Sequence, residues 1–430
     1  MRKRAFSFGK KVLKHELITG SFYLFIGTIV SALLAFLINL FFARNLTKPD
    51  YGIYASLIAL VTLFTIPAQS LTQIVVRFAG DYFAKGETDK LRIFYFRIIK
   101  FLFLVASVIF ILFFAFSPII QNFLKLDNFL FVPLIGFIIA ISYISIVNVG
   151  FLQGMVKFLF ISITQISGAA VRLIVGVILV FMGYRVFGAL WASILSFIIV
   201  FLLGFIPLKF LIKKVKGTSI TIPTKELLAY GIPSTIAVLS LSSFISIDVV
   251  LVKHFFTPFQ AGLYGGLSLI GKVIFYLTGI IPTVMFPLII RRHAKKEPFK
   301  RLFYMAFFLV LVPSVLITSF YFVFPLYSVR FFLGAGYKEI VPYLGIFGAY
   351  MTIFCLLNVC VYFFLSMRKT LVFIPLLIGS IFQIGLIALL HNSFLEVILI
   401  SLIICSLLLV GFLVYFISQS GKLLPQEIGS

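Results

Sequence analysis

The chain alternates apolar stretches of about twenty residues with short charged or turn-forming breaks, and that alternation decides its class. An α-helix needs roughly 20 apolar residues to cross a bilayer. Inside the hydrocarbon, every backbone N–H and C=O must also be bonded within the segment. Twelve such runs lie at 17–43, 51–76, 93–117, 130–152, 158–181, 187–208, 228–252, 260–289, 302–325, 340–365, 370–390 and 395–417. Thr47-Lys48-Pro49-Asp50, Gly86-Glu87-Thr88-Asp89-Lys90 and Lys213-Lys214-Val215-Lys216-Gly217 are among the breaks, none long enough for an extramembrane catalytic domain. Only 11% of the residues are charged, against about 25% in ordinary soluble domains, too few to cover a water-facing surface. The expected fold is therefore an all-α polytopic membrane protein. Met1-Arg2-Lys3-Arg4 imitates a signal peptide, but the run that follows exceeds the roughly 7–15 apolar residues of a signal core. It reads as a retained first span.

The net charge of +24 would suggest nucleic acid on a soluble protein. Here the basic residues fall mainly between spans. Counted by side, 27 Lys and Arg share the side of the N-terminus. Arg44, Lys48, Lys125, Arg185, Lys253, Arg330 and Lys338 lie on the other. Cytoplasmic loops are enriched in Lys and Arg, so both termini are expected in the cytoplasm of a bacterial inner membrane. The charge speaks for a lipid bilayer as partner rather than a nucleic acid. Arg172 and Lys272 are left inside spans.

An internal repeat runs at an offset of 210 residues. Thr47, Gly52, Tyr54 and Leu57 match Thr257, Gly262, Tyr264 and Leu267, and Asn148-Val149 matches Asn358-Val359. Duplicating six helices preserves orientation, so a parallel repeat is expected, with a substrate path near the midplane. The expected division is an N-terminal six-helix bundle over 1–208, a basic cytoplasmic linker over 209–227 and a C-terminal six-helix bundle over 228–430.

A charge at bilayer depth is costly and usually marks a functional cavity. Lys272 shares one helical line with Gly265, Ser268, Tyr276, Gly279 and Thr283, a small and polar lane around an ammonium group. Its competing reading is a packing face with a snorkelling lysine. In the second span Thr62, Gln69, Gln73 and Arg77 share a face, with Arg77 equally readable as an ordinary anchor at the cytoplasmic end. Arg172 has Gln165, Gly168 and Gly176 on its line; the glycines leave room either for a ligand or for a neighbouring helix. Arg44 rims the cavity or is a plain loop charge. Asp248, in the seventh span, projects about 140° from the line of Thr235, Ser242 and Ser246. It reads either as a coupling site for a proton or sodium ion or as a structural partner of a cation. His254 and His391 are expected at the interface, and Asn148 and Asn358 as hydrogen-bonding glue between helices.

The sequence shows no phosphate loop, paired catalytic carboxylates or metal-ligand cluster, so no catalytic residue, metal or cofactor is expected. Cys355, Cys360 and Cys405 lie inside apolar runs and read as packing residues. Pro67, Pro233, Pro282 and Pro287 interrupt spans, where a proline removes a helical hydrogen bond and introduces a kink. Such kinks suit moving helices and static bends alike.

Arg44-Asn45-Leu46 with Pro49-Asp50-Tyr51-Gly52-Ile53-Tyr54 resembles the polysaccharide-exporter (Wzx-type) branch of the MOP flippase superfamily. So do Tyr230-Gly231-Ile232-Pro233, Asp248 and Gly262-Leu263-Tyr264 in their order and placement. The resemblance implies a MATE-like fold of twelve helices and alternating-access transport of a polyprenyl-pyrophosphate-linked oligosaccharide. Arg172, Lys272 and Arg77 become candidate cavity cations, and Asp248 matches a recurrent acidic position. A glycan polymerase and glycosyltransferases would be its neighbours. One rival is a multidrug extruder of the same fold, which calls for more cavity carboxylates. A membrane glycosyltransferase or polymerase, the other rival, would need a sizeable outer loop.

Overall fold

The computed structural model describes residues 2–212, 224–294, 298–367 and 369–419. Side chains are described from Phe22 to Ser418, except at 70, 73, 213–230, 291, 293–297 and 368. Every regular element among these residues is helical. The first half holds α1 (Arg2–Asn45), α2 (Lys48–Ala84), α3 (Thr88–Ala115), α4 (Ser117–Leu124), α5 (Phe131–Gly154), α6 (Phe158–Phe181) and α7 (Arg185–Phe205). The second holds α8 (Thr224–Phe244), α9 (Ile247–Phe255), α10 (Pro258–Gly271), α11 (Val273–Thr278), α12 (Ile280–Ala294) and α13 (Lys300–Val323). It ends with α14 (Pro325–Leu333), α15 (Val341–Ser366), α16 (Phe373–Leu389) and α17 (Phe394–Gln419). Most of the 209–227 linker lies outside the described residues.

Eleven helices or helical runs are long and apolar enough to cross a membrane, and the bent pair α8–α9 makes a twelfth. The protein is thus a multi-pass, all-helical membrane protein, as its hydropathy requires. The repeat is visible in local chemistry. In α2 the Asp50 N–H donates to Thr47 Oγ1, and in α10 the Gln260 N–H donates to Thr257 Oγ1, both at 3.3 Å. In α10 the Thr257 N–H also donates to Gln260 Oε1, completing a capping box that satisfies the first free donors of the helix.

Two connections expected as loops contain helices instead. Short helices α4 and α14 follow α3 and α13 in equivalent places of the two halves, each with a proline in its first turn. They bury Leu124 and Leu333 while exposing Ile119, Phe123, Tyr327 and Phe331. Eight or nine residues cannot span a bilayer, but their two-sided character lets them lie along an interface.

Packing divides the chain into two compact units, residues 1–46 with 64–227, and 47–63 with 228–430. In the first, α6 packs on α1 and α7 while α5 packs on α3 and α7. In the second, α15 is the central helix, buried over most of its length against α10, α12, α13 and α17. The outer half of α2 groups by packing with this second unit.

Candidate functional site

The seventh apolar run folds as α8 and α9, bent by 47° across Ile245 and Ser246. Ser240, Ser242, Ser243 and Ser246 crowd this stretch, and serine hydroxyls compete with the helical ladder for backbone partners. The break frees the Phe244 carbonyl, which accepts from the Tyr350 hydroxyl of α15 and from Gln383 Nε2 of α16 at 3.1 Å. Gln383 also donates to Ser401 Oγ of α17 at 2.8 Å. Side chains from α15 and α16 therefore satisfy the carbonyl that the broken span leaves free, as the hydrocarbon requires.

Asp248 begins α9 just beyond the break and is fully buried. Its Oδ1 accepts from the Val249 N–H at 2.8 Å, and its Oδ2 from the Tyr264 hydroxyl of α10 at 2.9 Å. A carboxylate in the first turn also meets the positive end of a helix. The 140° helical-wheel angle between Asp248 and the serine line assumes one unbroken helix, and the span is broken at Ile245–Ser246. Lys253, expected as an outer-side charge, is only 2% exposed at the end of α9.

Lys272 stands at the junction of α10 and α11, half-buried, with Gly279 at the next junction before α12. The lane around it is graded rather than uniformly open. At one end Gly265 packs against Tyr51 and Ala55, and Ser268 is buried. Tyr276 and Thr283 are exposed further along.

The outer half of α2 meets α10 within the second unit. A Cβ at Gly262 would lie 1.9 Å from the Lys48 carbonyl oxygen, and one at Gly52 2.8 Å from the Gly262 nitrogen. The Lys48 ammonium sits 3.4 Å from the centroid of the Tyr337 ring. The rings of Tyr51 and Tyr54 lie with their centroids 6.2 Å apart on the same helix.

The remaining candidates belong to the first unit. Arg172 is half-buried on α6. The room expected beside it is taken: Gly168 meets Val200 and Ser196 of α7, and Gly176 meets Phe42 and Ile38 of α1. Gln165 Oε1 is buried without a hydrogen-bond partner among the described residues. Arg44, Gln69 and Arg77 are exposed, and the side chain of Gln73 lies outside the described residues. Asn148 proves to be glue: it accepts from the Tyr95 hydroxyl at 2.9 Å and donates to the Phe201 carbonyl at 2.8 Å.

Of the expected residues, Asp248 is buried and held by Tyr264 of α10, the helix that ends at Lys272. Sequence reasoning missed Tyr264 as the partner of Asp248, although the repeat singled it out opposite Tyr54. Tyr350 and Gln383 gave no signal, since their role arises only from the break.

The helices, up to twelve of them long and apolar enough to cross a membrane, share their fold with solved structures of the MOP superfamily. A multidrug resistance MATE family transporter of the MOP superfamily, inward-facing, superposes with a TM-score of 0.72 at 12% identity over 91% of this chain and 95% of that one. The lipid II flippase MurJ, in an inward closed conformation, superposes with a TM-score of 0.70 at 16% identity over 92% and 87%. The chain belongs to the polysaccharide biosynthesis protein family, which it matches over residues 17–293. An uncharacterized membrane protein of Methanocaldococcus jannaschii is 26% identical over 286 residues. That alignment spans 62% of this chain and 66% of the archaeal protein, a little under two thirds of its length.

Proposed function

We propose that the protein is a flippase that moves a polyprenyl-pyrophosphate-linked oligosaccharide across the cytoplasmic membrane by alternating access. The balance of intramembrane charge carries this reading. Arg172 and Lys272 are cations within spans, whereas the carboxylate of Asp248 is already held by Tyr264 and the Val249 N–H. Phosphate oxygens are natural partners of Arg and Lys, and these bonds strengthen away from water. Membership of the polysaccharide biosynthesis protein family supports a glycan cargo.

The rival is a drug extruder, favoured by the fold shared with the multidrug transporter. A cationic drug would need carboxylates free to receive it, and Asp248, the carboxylate fully buried among the described residues, is engaged. In the flippase reading, Lys272 and Tyr276 of the second unit are candidate cargo contacts, and Arg172, Arg77, Arg44, Gln69, Gln73 and Gln165 are the candidates of the first unit. Asp248 couples movement to a proton or sodium ion. A glycan polymerase and glycosyltransferases are the expected neighbours.

Replacing Lys272 or Arg172 by Ala tests the reading in cells that depend on the chain for glycan export. Export is lost in each while membrane abundance stays at the wild-type level. Wild-type export in both variants removes the cationic mechanism. Drug-resistance activity that survives in both would favour the extruder.

A further inference from the structure

A groove of about 830 Å³ lies between the start of α16 and the second half of α17. Leu371, Val372, Leu407, Leu408 and Phe412 supply its apolar lining. It exists because Gly411 lines it without a side chain: a Cβ there would meet nothing within 4 Å. Lys369 and Tyr415 also line it. The Lys369 ammonium donates to the Tyr415 hydroxyl at 3.3 Å and lies 5.2 Å from the ring centroid. The cation is thereby held at the groove.

Lys369 belongs to the short link between α15 and α16, so it lies where two spans reach the membrane boundary. That is the level of lipid phosphates, and anionic headgroups attract lysines there. An apolar trough with a fixed cation complements an amphiphile with an anionic head and a long hydrocarbon tail. We propose that this groove binds an anionic phospholipid, with its phosphate on Lys369 and one acyl chain along Leu407, Leu408, Gly411 and Phe412. No residue of the proposed cargo site takes part.

The full chain, purified in mild detergent, can be exchanged with phosphatidylglycerol and phosphatidylcholine of matched acyl chains, and retained lipid read by native mass spectrometry. Wild type retains phosphatidylglycerol in preference. Lys369→Gln lowers that preference about fivefold, the share of one lysine near an anionic lipid surface. Gly411→Leu fills the trough and lowers retention of both lipids, while Lys125→Gln, on an exposed link of the first unit, changes neither. Melting midpoints near wild type show that the variants fold. Equal retention of the two lipids by wild type overturns the proposal. So does an unchanged preference in Lys369→Gln, or undiminished retention in Gly411→Leu. Stronger retention of polyprenyl phosphate than of phosphatidylglycerol assigns the groove to the carrier instead, and displacement by glycerol 3-phosphate assigns it to free phosphate; either overturns it.

Discussion

Gly52 and Gly262, repeat counterparts 210 residues apart in sequence, lie against one another where α2 meets α10. The Gly262 position faces the Lys48 carbonyl so closely that a Cβ would fall 1.9 Å from its oxygen. Glycine at both positions removes the side chains that would otherwise hold the helices apart. Direct backbone packing, rather than side-chain interdigitation, therefore joins the outer half of α2 to the second unit.

Gly262→Ala is expected to destabilise the protein by about 3 kcal/mol, the upper end of overpacking costs, because the opposing atom is backbone and cannot rotate away. Gly231→Ala, where nothing lies within 4 Å, should hold or raise stability, since Ala is the better helix former by about 1 kcal/mol. Melting in detergent distinguishes them. Equal behaviour of the two would show that the α2–α10 contact is loose.

Tyr264→Phe removes the side-chain donor to Asp248 Oδ2. A hydrogen bond to a charged group contributes about 1.5–3 kcal/mol, and the melting transition should fall accordingly. Asp248→Asn can still accept from Tyr264 through its amide oxygen. It should therefore fold near normally but lose any dependence of transport on a proton or sodium gradient. A gradient response that persists in Asp248→Asn would make Asp248 a structural residue.

Asn148→Leu leaves the Tyr95 hydroxyl and the Phe201 carbonyl without their partner. The expected loss is about 0.6–1.7 kcal/mol, the span measured for interhelical bonds in membrane proteins. Cargo preference should not change. A shift in preference, measured in an export assay with competing glycan donors, would move Asn148 into the transport path.

Val156 adopts φ +60° in the link between α5 and α6, where its N–H bonds to Gln153 O and the Lys157 N–H to Leu152 O. Helices commonly end in this left-handed conformation, normally with Gly, and a branched side chain is strained there. Val156→Gly should raise stability by about 1 kcal/mol, net of the extra chain entropy glycine brings. A lower melting temperature would contradict this account of the link.

How much was legible in advance differs from residue to residue. The spans were readable because each must satisfy its own backbone within one apolar stretch. The matched Thr47 and Thr257 announced equivalent helix starts, and both caps formed. Arg172 was recognisable as a buried cation, but whether Gly168 and Gly176 opened a cavity depended on Val200 and Phe42, on helices that periodicity cannot place. A helical wheel could not orient Asp248, because it assumes unbroken phase and the span is broken at Ile245–Ser246.

Hydropathy is a sum along the chain, so the sequence alone determined that this is a multi-pass, all-helical membrane protein. Tertiary structure decided which residues meet: Asp248 with Tyr264, the freed Phe244 carbonyl with Tyr350 and Gln383, and Gly52 with Gly262. These pairings join different helices across breaks and crossings. Their geometry follows from how helices pack and bend, which no local pattern encodes.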